Sequence, residues 1–359
     1  MDSRERVVRV LNFEETDEVP VQDFPWPETV DRWKREGFPA EGVEVPDYFG
    51  FDVYFISFDL SPRYETFVYE ETDRWRISTD GWGSMNQRWK GRSGTPHFLV
   101  PAVRNIEEFK ERIETFLDVN DPRRLISPRY PFRGDLEKGI RNLQKRYFVA
   151  AAMGEPFEIA RALIGTYDLC ANFIRDPAFL AYMFDKLADF MAECGKSLID
   201  AGVDGVRPAG DLAYKNGPFF SPAHYRKLLA PAHKKMFQPF RKRGLPVILH
   251  TDGDVRPLIP DLMDAGVTVL HPLEAKAGMD VRELKRQYGD KLAFHGNIDV
   301  RALSGNLEDV KREVLSKVPI ACEGGGYILG SDHSVPPSVS LKNYEYMIKL
   351  AKECSRKSQ

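Results

Sequence analysis

The chain has 359 residues, 42% of them hydrophobic, and carries 51 Lys+Arg against 54 Asp+Glu, a formal charge of -3. That length can bury a large core and suits either two ordinary domains or one α/β barrel with insertions, while the near balance of charge leaves no cationic excess for nucleic acid. Four scattered cysteines, Cys170, Cys194, Cys322 and Cys354, form no CxxC pair, which argues against a disulfide framework or a thiolate zinc knuckle and fits a reducing cytoplasm.

The N-terminal stretch MDSRERVVRVLNFEETDEVP is charged throughout and has no apolar signal core. No apolar run approaches the ~20 residues that cross a bilayer. A soluble, cytoplasmic protein without a membrane partner is expected. Short β-rich segments follow in order: VPVQDF (19–24), DVYFISF (52–58), YFVAAAM (147–153), VDGVRPA (203–209), PVILHT (246–251), VTVLHPL (267–273), KLAFHG (291–296) and GYILGS (326–331). Amphipathic stretches lie between most of them, such as AFLAYMFDKLADFMAECGKSLIDAG, where apolar residues recur three and four apart and Gly202 closes the helix. Repeated strand–helix–strand units predict a parallel sheet. Eight such strands predict an α/β fold of the (β/α)8 TIM-barrel type, with an open doubly wound sheet as the alternative. No GxGxxG fingerprint follows any strand.

Residues 61–135 break the alternation. Trp75, Trp82 and Trp89 surround the turn dipeptide Asp80-Gly81, which predicts an inserted antiparallel hairpin capping the barrel mouth. The whole chain, 1–359, is then one barrel domain with 61–135 as insertion. Beyond Ala351 the lysine-containing tail reads as a frayed helix end.

Polar residues stand just past the apolar segments: Asp252 after PVILH, Glu274 after GVTVLHPL, Asn297 and Asp299 after LAFHG, His333 after GGYILGSD. A parallel barrel gathers its strand C-termini on one face, so these residues converge. Alternation points His250 and Asp252 the same way, and together they can grip a cation. An HxD spacing alone equally suits a structural histidine beside a DG turn; Glu274 on the next strand end and His333 on the last shift the balance. His250, Asp252, Glu274 and His333 make a candidate zinc set with a position left for substrate. His271 and His295 either ligate directly or support a ligand carboxylate by a hydrogen bond. Asp211, after the fourth strand, either caps a loop or positions substrate. Asp23, Asp59 and Glu155 are further strand-end acids, each alone more in keeping with structure than with catalysis. Arg207 and Arg256 are able to pair a carboxylate in bidentate fashion. No Ser/His/Asp order or GxSxG elbow is legible.

The run RERVVRVLNFEETDEVPV, GEPFEIA, GVDGVRPAGDLAYKNGPFFSPAHYRKLLAPAHKK, ILHTDGDVRPLIPDLMDAGVTVLHPLE, FHGNIDVRAL and GGYILGSDHSVPPSVSLKNYEYM resembles the uroporphyrinogen decarboxylase superfamily over nearly the whole chain outside 61–135. The resemblance implies a (β/α)8 barrel with its site at the C-terminal mouth, and a homodimer. True decarboxylases of this superfamily carry an arginine-rich RQAGR segment that grips porphyrinogen carboxylates; here the matching stretch is DFPWPETVDRW. Asp59 resembles the aspartate that binds pyrrole NH groups, His333 matches a histidine position, and Ala162 stands where a tyrosine is expected. The corrinoid-dependent methyltransferase branch resembles the chain more closely in its metal site, HxC after the fifth strand and a cysteine after the eighth. His250 matches that histidine, Asp252 and His333 replace the cysteines, and Glu274 matches a glutamate of the open zinc position. Such a site is harder and suits an oxygen-bearing substrate over a thiol.

The expectation is a zinc-dependent, O-demethylase-like methyltransferase working with a corrinoid on a separate partner protein. In it His295 orients a ligand, and Asp211 or Glu155 positions substrate. The alternatives are a metal-free decarboxylase that uses Asp59 and a non-catalytic barrel that binds a corrinoid or tetrapyrrole.

Overall fold

The computed structural model describes residues 1–121, 124 and 136–356; the rest of the expected 61–135 insertion, and residues 357–359, lie outside the described residues. Its strands in chain order are β1 (Val53–Ser57), β2 (Val68–Glu71), β3 (Trp75–Thr79), β4 (Met85–Trp89), β5 (His97–Val100), β6 (Phe148–Gly154), β7 (Gly205–Ala209), β8 (Ala213–Tyr214), β9 (Gly217–Pro218), β10 (Ile248–His250), β11 (Val269–His271), β12 (Ala293–His295) and β13 (Tyr327–Ile328).

Seven of these form one parallel sheet in the order β1-β6-β7-β10-β11-β12-β13. The order follows the chain without the reversal that marks a doubly wound sheet. Crossover helices such as Pro177–Asp200, Ala230–Lys242 and Leu307–Cys322 join successive strands, as parallel pairing requires. The edges of this curled sheet meet residues 20–22: Leu329 N donates to Pro20 O at 2.8 Å, Gln22 N to Leu329 O at 2.9 Å, and Asp52 N to Val21 O at 2.7 Å.

Strand alternation divides the core in two. Inside the curl lie Val53, Phe55, Phe148, Ala150, Ile248, Val269, Ala293 and Ile328, closed from below by Val7 and Val10 of the first helix. Their neighbours Ile56, Val149, Val206, Leu249, Leu270 and Phe294 face the helices. Each fully buried side chain of this size contributes about 2 kcal/mol. The helix Pro177–Asp200 shows how the outer layer forms. Asp176 caps it by accepting from Phe179 N, Pro177 opens it, and Leu180, Met183, Phe184, Leu187 and Met191 bury one face.

The expected hairpin is a four-stranded antiparallel sheet, β2-β3-β4-β5. Trp75 pairs with Trp89 across β3 and β4, their rings 5.5 Å apart. The Asp80 carboxylate accepts from Trp82 N and Ser84 N and closes the turn. Ser84 Oγ donates to Ala162 O at 2.6 Å, anchoring this sheet to the helix Pro156–Ile164 that follows β6. The C-terminal helix runs Leu341–Ser355, past the expected fraying point.

Asp52 ties the N-terminal helix, residue 21 and β1 together. Its Oδ1 accepts from Arg6 Nη1 at 2.6 Å and its Oδ2 from Val21 N at 2.8 Å, all buried. Removing Asp52 would leave Val21 N without its acceptor and Arg6 with Asp17 at 2.7 Å. Asp52→Ala is therefore expected to cost about 2 kcal/mol in urea unfolding; an unchanged midpoint would contradict this role.

Candidate active site

The strand register sets the site. His250 is level with Ala209 on one side and His271 on the other, and the pairing of Leu270 with Phe294 brings His271 level with His295. Three imidazoles therefore stand in a row at the upper ends of β10, β11 and β12, with ring centroids 5.0 and 4.3 Å apart. His250 Nδ1 and His271 Nδ1 are 2.9 Å apart, so one of the two carries the shared hydrogen. His295 Nε2 donates to Gln22 O at 2.9 Å, leaving its buried Nδ1 without a partner. Burial pushes all three pKa values down, that of His295 to about 3, and the positive Arg207 adds to the effect. These are neutral imidazoles, the form that ligates metals.

The loops above the row bring in carboxylates. The DG turn aims Asp252 into the mouth. Gly253 sits at φ 84°, where a Cβ would fall 2.6 Å from the Ala213 carbonyl carbon, so only glycine fits. Gly253 N in turn donates to Glu274 Oε2 at 3.0 Å. Asp332 joins three loops, accepting from Ala275 N and Val300 N at 2.9 Å each, and so places its neighbour His333. Asn297 amide hydrogens reach Leu273 O at 2.6 Å and the Met279 carbonyl, which holds the Glu274 loop.

Asp252 stands at the centre of two donor groups. Asp211, His250 and Asp252 form one; Asp252, Glu274 and His333 form the other; in each the donor atoms lie within 4.8 Å of one another. His250 Nε2 is 3.8 Å from Asp211 Oδ1, and His333 Nε2 is 3.6 Å from Asp252 Oδ2. His333 Nδ1 contacts Ser334 O at 3.2 Å, which leaves Nε2 to face the carboxylates. Asp252 Oδ1 is buried with no hydrogen-bond partner. Burial first, and Asp211 second, raise the Asp252 pKa. In each group the Asp252 carboxylate, one imidazole nitrogen and a second carboxylate make a donor set that fits a divalent cation such as zinc. None of the four cysteines belongs to either group.

A cleft of about 530 Å³ opens over this point, walled by Trp26, Asp211, His250 and His333 from the strand side and by Trp82 and Phe98 from the antiparallel sheet. A depression of similar size, about 490 Å³, lies at the opposite, N-terminal ends of the strands and holds none of these imidazoles. Chemistry rather than volume picks out the first.

Of the residues singled out from the sequence, five come together: Asp211, His250, Asp252, Glu274 and His333. His295 lies in the histidine row beneath them, buried. Glu155 is fully buried, caps the helix Pro156–Ile164 through Phe157 N and Glu158 N, and meets His233 Nε2 at 2.9 Å. Asp59 accepts from Ser61 N, Ser61 Oγ and Arg63 Nε, and the structure does not bring it into either donor group. Asp23 is buried on Ser331 and Tyr344.

Sequence reading missed Glu158 and Arg161, which line the cleft. Arg161 Nη2 reaches Glu158 at 2.6 Å and Asp211 Oδ2 at 3.3 Å, and so steadies Asp211. Burial pushes the Glu158 pKa up to about 7. The signal was present: Glu158 and Arg161 stand three apart on a helix opened by Pro156, and so share a face.

The family model for uroporphyrinogen decarboxylase (URO-D) matches residues 89–354. A uroporphyrinogen decarboxylase of Trichodesmium erythraeum is 26% identical over 181 residues, 50% of this chain and 49% of that protein. One of Streptomyces avermitilis is 29% identical over 171 residues, 45% and 44% respectively. The chain spans about half the length of the curated relatives it matches. Among solved structures, a methyltransferase from Methanosarcina mazei superposes with a TM-score of 0.66 at 16% identity, over 98% of this chain and 99% of that one, a likeness of fold. With more than half of its length matched by the family model, the chain belongs to the uroporphyrinogen decarboxylase family.

Proposed function

We propose that the protein is a zinc-dependent methyltransferase that takes a methyl group from a small methoxylated substrate and passes it to a corrinoid carried by a separate protein. The observation that carries this reading is the convergence of two donor groups on Asp252, with an unpartnered oxygen at their centre. The reading takes residues 20–23 as the eighth stave of a closed (β/α)8 barrel, and 1–359 as one domain capped by 61–135.

Each residue has a task in this scheme. His333, with its Nδ1 at the Ser334 carbonyl, offers Nε2; His271 fixes the ring of His250; Arg161 holds Asp211; Gly253 N holds Glu274. A zinc ion held by His250, Asp252, Glu274 and His333 would supply Lewis acidity toward the substrate oxygen. Trp82 and Phe98 of the antiparallel sheet narrow the cleft and keep water from the transferring methyl. The C–O bond breaks with its electron pair left on oxygen, which takes one proton and departs as the hydroxyl product. A doubly reduced corrinoid on the partner protein would accept the methyl group and supply the electron pair for the new bond. A set of oxygen and nitrogen donors matches this oxygen substrate better than a thiol.

Elemental analysis of the purified chain should find close to one zinc per chain. Asp252→Ala and His333→Ala should each lose most of it, and methyl transfer from methoxylated substrates to reduced cobalamin should fall about 100-fold or more, as expected when a Lewis acid worth several kcal/mol is lost. Unchanged metal content and turnover in both variants would end this reading.

A second reading is metal-free decarboxylation of a small acid, favoured by the sequence kinship to decarboxylases and by the place of Asp59 just beyond β1. It predicts full turnover in chelator, loss on Asp59→Asn and none on Asp252→Ala. Loss of carbon dioxide release in chelator would exclude it.

A further inference from the structure

Arg207 stands beside the histidine row, and the methyltransfer scheme gives it no task. It lies on β7, two residues before Ala209, and so shares the inward face of the strand with the residue level with His250. Its guanidinium carbon stands 4.6 Å from the Phe24 ring centre and 5.3 Å from that of Phe55. Those rings stack on each other at 5.4 Å, and Phe24 also packs edge-on against His271 at 5.9 Å. The guanidinium is thus held against aromatic faces beside the histidine row.

Its hydrogen-bonding edge is unused. Nε is buried and has no partner, and among the described residues no carboxylate pairs with it. The contrast with its neighbours is plain: Arg161 is paired with Glu158 and Asp211, and Arg256 reaches Asp254 at 2.8 and 2.7 Å. Desolvation lowers the Arg207 pKa to about 10, with Asp252 and Asp211 opposing it from a distance. Even so it stays charged at neutral pH. The imidazoles beside it are neutral and cannot balance it. A guanidinium offers five donors in a planar fork, and leaving the buried Nε unmet is costly.

Resting on the methyltransferase reading, we propose that Arg207 receives a carboxylate of the substrate, so that the methoxylated compound is an acid, bound by its carboxylate at Arg207 and presenting its ether oxygen to the donors around Asp252. A carboxylate matches the fork in size and planarity. A doubly charged phosphate would meet more repulsion from Asp211, Asp252 and Glu274. Trp26, T-shaped on His333 at 5.7 Å, together with Trp82 and Phe98, gives the cleft flat apolar walls suited to a ring between the two ends.

The test is direct binding to the full chain, with tryptophan fluorescence checked by calorimetry. The probes are 3- and 4-methoxybenzoate, methoxyacetate, and the neutral 4-methoxybenzyl alcohol. At least one carboxylate should bind the native protein about tenfold or more tighter than the alcohol, the usual worth of a hydrogen-bonded ion pair. Arg207→Gln should erase that preference while zinc content and alcohol binding hold. Arg207→Lys, which keeps the charge without the fork, should retain part of it and stands in if the glutamine variant does not fold. The proposal is overturned if no carboxylate outbinds the alcohol, or if the preference survives in Arg207→Gln. Zinc-free protein that still shows an Arg207-dependent preference would sink the metal reading and leave the carboxylate site standing.

Discussion

The parallel pairing of β10 with β7 and β11 is the constraint from which the site follows. Because it sets His250 level with Ala209 and His271, the imidazoles align at one height and the loops that follow start from one level. A slip of one residue would turn every one of these side chains to the opposite face. The hydrogen bonds above the sheet then act as spacers. Thr251 Oγ1 accepts from Leu212 N, tying the loop after β7 to that after β10, and Asp332 ties the next loops together. Asp211, Asp252, Glu274 and His333 converge because their loops are bonded to one another, not because each is rigid alone.

Electrostatics explains why such a mouth calls for ligands. The histidine row is neutral by burial, so it contributes lone pairs and no charge. Asp211 has Arg161, and Glu274 has Lys276 at 2.6 Å. Asp252 keeps a buried oxygen without a hydrogen-bond partner, and burial first and Asp211 second raise its pKa. Arg207 keeps a buried Nε without a partner among the described residues. A cation placed on the one and an anion on the other would relieve both, and would favour ionised carboxylates over protonated ones. In the proposed scheme the metal would answer the first imbalance and the substrate carboxylate the second.

Much of this was legible in the sequence, for a physical reason. Short apolar runs bounded by Gly and Pro mark buried parallel strands well, so β1, β7 and β10 to β13 fall inside the expected segments and β6 runs one residue past its own. The five converging site residues share one signal, a polar side chain at or just past a strand end, and the fold places these five on one face. The same signal does not bring Glu155 and Asp59 into the donor groups, since a strand-end acid serves equally well as a helix cap or as an anchor for a turn. Glu158 and Arg161 were passed over because they face the cleft from a helix, where pitch rather than strand ends decides direction. The antiparallel sheet appeared as a single hairpin because only the turn at Asp80-Gly81 is strongly marked; β2 is exposed and β5 nearly so, and neither carries the alternation of a half-buried strand.

X-ray absorption at the zinc edge on the metal-loaded protein tests the central claim most directly, since it reports donor type without requiring the substrate or the corrinoid partner. Donors at ~2.0–2.2 Å, of nitrogen and oxygen type alone, with the outer-shell scattering of two imidazoles from His250 and His333, are the predicted result. A sulfur shell at ~2.3 Å, or a spectrum unchanged by His250→Ala, would place the metal elsewhere and contradict the account.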